Sequence, residues 1–305
     1  MTFLRLVLPA LVLLFTAGEA RAEGALPGGE AFAAPIAADL DQVVSAPTAS
    51  WRSPVLEIYR WDRFPDIIVI DTVDFHVQDR MFTRLAYFVE KKGFRGKLLT
   101  NARLAGRHGW NAHDYGPDGL ASFFNAASET AFPLNPEEKA LESLALQEGI
   151  LLPDGERVAP GRGGILAISR SSSAVERRYL LTHESFHGIF FSSAEYRQFC
   201  FRLWDSLPPE ERRFYRSFLD LLGYDGDDRF LAVNEFQAYL MQQPLEYALS
   251  YFQRFFARFG QPGAPGSVQP DTIMAAAEEL DGYLRSSFGV RAGETVRSVG
   301  QARAQ

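Results

Sequence analysis

The run His183-Glu184-Ser185-Phe186-His187 constrains this chain more than any other stretch. On an α-helix, residues four apart share a face about one turn apart, so two imidazoles can reach one ion together. Glu184 projects beside them, placed to take a proton from a metal-bound water. Residues 174–191, which carry the run, read as a buried helix. Ser173 and Glu176 form a capping box, and Tyr179, Leu180, Leu181, Phe186, Ile189, Phe190 and Phe191 supply the apolar body. Two histidines and a glutamate in so apolar a helix are costly to bury unless something pairs them, and a metal ion does so.

A catalytic zinc takes three protein ligands and leaves one position for water. His76, His108 and His113 all precede the run. Downstream, residues 231–240 are apolar and helix-compatible, bounded by Asp227-Asp228 and Pro244, with Glu235 in their midst. A carboxylate is expensive to bury unpaired, so Glu235 is the expected third ligand beside His183 and His187. The expected cofactor is one Zn2+ per chain, with Glu184 as catalytic base. An oxyanion formed during amide hydrolysis needs a further donor. Tyr115, His113, Tyr239, Tyr247 and Tyr251 are candidates that the sequence does not rank. Residues 107–115 crowd His108, Trp110, Asn111, His113, Asp114 and Tyr115 together. As a loop, their polar groups cap neighbouring backbone; as a site, they form a substrate pocket wall, with His108 and His113 the foremost candidates, or a second metal site.

His183-Glu184-x-x-His187 with Asn234-Glu235 on a later helix resembles the gluzincin group of zinc metallopeptidases. Asn234-Glu235 followed by Ala238 and Tyr239 is similar to the third-ligand helix of aminopeptidase N-type enzymes. The resemblance runs from Ile165 to Met241. It implies that His183, His187 and Glu235 bind zinc, that Glu184 is general base and then proton donor, and that Asn234 and Tyr239 lie beside the ligands. It also implies an α+β, zincin-like fold, with a mostly helical catalytic part and a small sheet. No Gly-x-Met-Glu-Asn motif of the exopeptidases stands upstream, and Tyr239 occupies a position where many gluzincins carry an acidic residue.

Residues 1–22 read as a secretory signal peptide: Arg5, an apolar run over 6–15, and Ala20-Arg21-Ala22 as the cleavage site. No later stretch approaches the ~20 apolar residues of a membrane span. The expected location is therefore periplasmic or extracellular, with no transmembrane segment. Cys200 is the only cysteine, so no internal disulfide forms, and it sits among Phe199, Phe201 and Trp204 as a small buried hydrophobe. Stability must come from packing, for which 47% hydrophobic residues suffice. The net charge of −7 without a basic block offers no footing for nucleic acid. The expected partner is a peptide or protein substrate, cell-wall peptide included; oligomeric state is left open. The alternatives are a zinc amidase acting on non-protein amides and an inactive scaffold, and a scaffold has no need of Glu184.

The remaining chain divides as follows. Residues 23–50, rich in Ala, Gly and Pro, are expected to be a flexible linker. Residues 51–150 form an α/β part preceding the zincin-like catalytic part at 151–288, with a disordered tail at 289–305. Within the first part, strands are expected at 55–59 and 67–70, an amphipathic helix at 78–92, a strand from 97, and helices at 120–127 and 136–148. Residues 151–164 read as loops and 224–228 as a solvated acidic turn. The strand at 164–169 is expected to flank the cleft with a free edge on which an extended peptide can pair. Helices follow at 208–222, 231–240, 245–259 and 271–288.

Overall fold

Two runs, Ile67–Thr72 and Gly164–Ser169, are apolar or small at nearly every position, the pattern of strands covered on both faces. They form β3 and β7, which pair in parallel from Ile67 opposite Gly164 to Thr72 opposite Ser169. The computed structural model describes residues 32–259 and 270–296, so the expected signal peptide at 1–22 lies outside the described residues. Around β3 and β7 a mixed five-stranded sheet is built in the order β1-β2-β3-β7-β4, with β1 at Ile36–Ala38, β2 at Leu56–Trp61 and β4 at Ala112–Tyr115. β1 is parallel to β2, whereas β2–β3 and β4–β7 are antiparallel.

Strand periodicity divides the core in two. Ile68, Ile70, Ile165 and Ala167 face one cluster with Phe82 of α2 (Phe75–Val89), Phe123 of α4 (Pro117–Glu129) and Leu141 of α5 (Pro136–Gln147). Ile67, Val69, Leu166 and Ile168 face the larger cluster, beneath α6 (Ala174–Ser192). That side also holds α1 (Leu40–Ser45), α7 (Ala194–Ser206), α8 (Pro209–Leu222), α9 (Arg229–Met241), α10 (Leu245–Phe259) and α11 (Pro270–Phe288). The chain is thus α+β and mostly helical.

Several expectations are corrected. Residues 32–50 are not a linker: β1 extends the sheet, and α1, capped by Asp39, buries Leu40, Val43 and Val44. Three apolar side chains at helical spacing anchor a stretch whose average composition is loop-like. The parts at 51–150 and 151–288 share one sheet, because β7 inserts between β3 and β4. Residues 151–164 contain a hairpin, Leu151–Asp154 (β5) with Arg157–Pro160 (β6). Residues 97–100 form no strand, and the carbonyl of Leu99 is instead taken by buried Arg84. Beyond α11, Val290, Ala292 and Thr295 are buried, so this part of the expected tail is packed. Finally, β7 has no free edge: β3 and β4 occupy both sides, and β4 is the edge strand.

Two features set α6 against the sheet. Gly163 turns into β7 with φ +80°, and a Cβ there would stand 1.7 Å from the Asp66 carbonyl oxygen. Only glycine satisfies both demands. Fully buried Asp71 of β3 accepts two bonds from Arg177 of α6, at 2.7 and 2.8 Å, and one from Arg170. Truncating Asp71 would leave two guanidinium groups without their carboxylate. Asp71→Ala is expected to lower unfolding free energy by about 3–5 kcal/mol in urea titration. An unchanged midpoint would mean that this pair does not hold α6 in place.

Candidate metal centre

The capping box expected at the start of α6 is present. Ser173 Oγ accepts from the Glu176 amide, and Glu176 accepts from the Ser173 amide at 2.8 Å. From that start the helix carries His183, Glu184 and His187 into the larger core, where all three are buried. Asp228 caps α9, accepting from the Leu231 amide at 2.7 Å. This helix packs on α6 and is buried at nearly every position, which brings Glu235, 1% exposed, against the two histidines.

The Nε2 atoms of His183 and His187 lie 3.0 Å apart, and Glu235 Oε2 is 3.5 Å from the first and 3.7 Å from the second. Tetrahedral zinc with bonds of about 2.0–2.2 Å holds its ligand atoms roughly 3.3–3.5 Å apart, so the three atoms fit one ion. Glu235 Oε2 is moreover a buried acceptor with no hydrogen bond. The tautomer suits ligation as well. His183 Nδ1 is 3.1 Å from Gln242 Oε1; the amide oxygen accepts, so Nδ1 carries the proton and Nε2 keeps its lone pair.

Asp114 of β4 completes the surroundings. Its Oδ2 lies 3.7 Å from His187 Nδ1 and accepts from Asn234 Nδ2 at 3.4 Å. Asp114, Glu184 and His187 form a second group of potential ligands whose atoms lie within 4.8 Å of one another. The environment is acidic and dry. Burial, reinforced by Asp114, pushes the Glu184 carboxyl well above the usual range, and the two carboxyls share a hydrogen bond. Burial pushes Glu235 up to about 8, against the opposing pull of His187. Burial holds His183 down at about 4, leaving it neutral. Glu90, at the end of α2, is raised by burial and by Asp114 and Glu235. Lys91 stands over the Trp110 ring and is lowered by burial to about 7. Four carboxyl groups around two imidazoles suit a divalent cation.

The other expected residues separate. Asn234 reaches Asp114, and the Tyr239 ring meets His183 edge-on at 4.6 Å. His113 does not wall the site. Strand alternation turns it and Tyr115 to the opposite face from Asp114, where His113 stacks on Phe82 at 5.0 Å and bonds Tyr115 Oη at 3.0 Å. Tyr115 is thereby committed to His113. His108 is held by Asp79 at 2.7 Å and Asn111 at 2.9 Å. Tyr224 is buried rather than solvated: it stacks on Trp110 and its hydroxyl bonds Glu235. Sequence reasoning passed over Gln242 and favoured His108 and His113 over Asp114 within the 107–115 stretch. Gln242 is seven residues after Glu235, on the same helical face, and Asp114 alternates with the residues that were singled out.

A cleft of about 330 Å³ opens beside Asp114 and Asn234, walled by Val89, Tyr115, Phe191, Phe230 and Leu231. No protein-family model, curated protein or solved structure matches this chain.

Binding of a divalent metal ion here would require Glu235 to give up its proton, so apparent affinity is expected to weaken roughly tenfold per pH unit below about 8. His183, neutral down to about 4, adds nothing to that slope. Titration against a competing chelator at several pH values reads this directly. Elemental analysis should find one zinc per chain, lost or greatly weakened in Glu235→Ala. Stoichiometric zinc indifferent to Glu235 would place the third ligand elsewhere.

Proposed function

We propose that the protein is a zinc-dependent amide hydrolase, a peptidase of gluzincin type. One observation carries this reading: three buried ligand atoms converge on one point, and the Glu184 carboxyl stands beside it without a structural ion-pair partner of opposite charge among the described residues. A scaffold gains nothing from an acid so expensive to bury. His183, His187 and Glu235 would hold the zinc, which would supply Lewis acidity and a water of lowered pKa. Glu184 would be the general base toward the attacking water and the proton donor to the leaving nitrogen. Its raised proton affinity, set by burial and Asp114, suits the second of those duties. Gln242 orients His183, while Asp114 with Asn234 steadies His187.

The strand beside the centre supports a peptide as substrate. β4 is an edge strand carrying Asp114, and an edge strand can pair with an extended chain. This is the role the sequence had suggested for β7. The amino-terminal pattern over residues 1–22 supports a substrate met outside the cytoplasm, a peptide, misfolded protein or cell-wall crosslink.

Glu184→Gln keeps the shape and removes the base. It is expected to retain zinc and to lose about 10²–10⁴-fold in turnover of a peptide mixture followed by mass spectrometry. Equal turnover by both proteins at equal zinc content would sink the reading.

A further inference from the structure

We infer that Tyr224 is a positioning residue that restricts Glu235 to one ligating oxygen, and that Trp110 and Lys91 hold Tyr224 in that role. This rests on His183, His187 and Glu235 being the metal ligands, and it adds what keeps a place open on the ion for water.

The two oxygens of Glu235 stand in different surroundings. Oε2 faces the histidine nitrogens at 3.5 and 3.7 Å and is a buried acceptor with no hydrogen bond. The Tyr224 hydroxyl bonds the same carboxyl group, so that bond falls on Oε1. Tyr224 is also hydrogen-bonded to the Tyr239 hydroxyl. A hydroxyl has one proton to give and a carboxylate only accepts. Tyr224 therefore donates to Glu235 and accepts from Tyr239. Tyr239 is itself fixed, edge-on to His183 at 4.6 Å and to Phe218 at 4.8 Å. Carboxylates bind cations through one oxygen or through both. A catalytic zinc takes three protein ligands and keeps one position for water, which a second oxygen from Glu235 would crowd.

Tyr224 lies in the turn between α8 and α9, so its hold comes from other elements. The end of α2 supplies it. The Lys92 amide donates to the Gly223 carbonyl at 3.1 Å, and the Asp225 amide to the Glu90 carbonyl at 3.0 Å. Lys92 pairs with Asp220 and Arg95 with Asp228, each at 2.8 Å. The backbone on both sides of Tyr224 is thus fastened to the segment after α2.

Its ring is seated by a sandwich. Tyr224 stacks on Trp110 with centroids 4.4 Å apart and planes 19° from parallel. The Lys91 ammonium stands 2.8 Å from the Trp110 centroid. A nitrogen that close has no room between the two stacked rings, so it lies on the opposite face of the indole. Cation and ring hold Trp110 from its two sides. The indole nitrogen donates to Glu90, which fixes the indole about its own plane.

The test compares the full-length wild type with Tyr224→Phe, which removes one oxygen and keeps the ring on Trp110. Urea midpoints of the metal-free proteins report folding, and competition with a chelator reports zinc affinity. Visible absorption of the Co2+-loaded proteins reports coordination, being strong for a four-coordinate ion and falling as ligands are added. Tyr224→Phe is expected to keep its midpoint, to lose roughly 10–100-fold in zinc affinity and to show the weaker cobalt absorption of a carboxylate bound through both oxygens. Cobalt absorption equal to that of wild type overturns the role of Tyr224. The metal centre then still stands if zinc is weakened by Glu235→Ala. If Tyr224→Phe does not fold, Trp110→Phe takes its place, since it keeps the hydroxyl and loosens its seat. The same weakening of cobalt absorption supports the inference, and an unchanged absorption overturns it. A wild type that binds neither ion removes the metal centre and this role with it.

Discussion

Two imidazoles and four carboxyl groups meet where α6, α9, β4 and the end of α2 converge, in a volume from which water is largely excluded. Burial alone would make that gathering unfavourable, since each carboxylate loses its hydration and repels the others. The structure answers with directed contacts rather than with charge. Tyr224 bonds Glu235, Gln242 bonds His183, Asn234 bonds Asp114 and Trp110 bonds Glu90. Lys91 places an ammonium close by. A dication fits this arrangement because it converts mutual repulsion into shared attraction, and because the three ligand atoms are already near tetrahedral spacing.

The rest of the fold is arranged to keep those groups in register. The two central strands are covered on both faces, so α6 has a rigid floor. Asp71 with Arg177 fixes the first turns of that helix to β3, well before the histidines. Gly163 allows the chain to enter β7 tight against the turn before β3. The hydroxyl of Tyr196 on α7 donates to Gln237 at 2.9 Å, which holds α9 from its other side. Rigid elements carry every proposed ligand, and none lies on a loop.

Parity decided much at β4. One step along a strand moves a side chain from one core to the other. His113 therefore belongs to the Phe82 cluster, with burial holding it well below the usual histidine range, while Asp114 reaches the metal centre. The sequence drew attention to the right nine residues and to the wrong members of them. Composition shows that the stretch is unusual; only pairing with β7 shows which side chains face α6.

What the sequence determined by itself is local. The HExxH helix and its cap, the buried strands at 67–70 and 164–169, and a buried glutamate on a later apolar helix all follow from spacing and from the cost of burying polar groups; that Asp71 and Thr72 continue the first strand rather than turn out of it does not. Such signals act between neighbours on one element, so a single element reveals them. The tertiary structure decided what depends on distant segments. It joined the two expected parts through β7, made β4 rather than β7 the free edge, drew residues 36–45 into the fold, and set Asp114, Gln242 and Tyr224 around the histidines. Those choices rest on strand pairing and helix crossing between residues up to about a hundred positions apart, which no local pattern encodes.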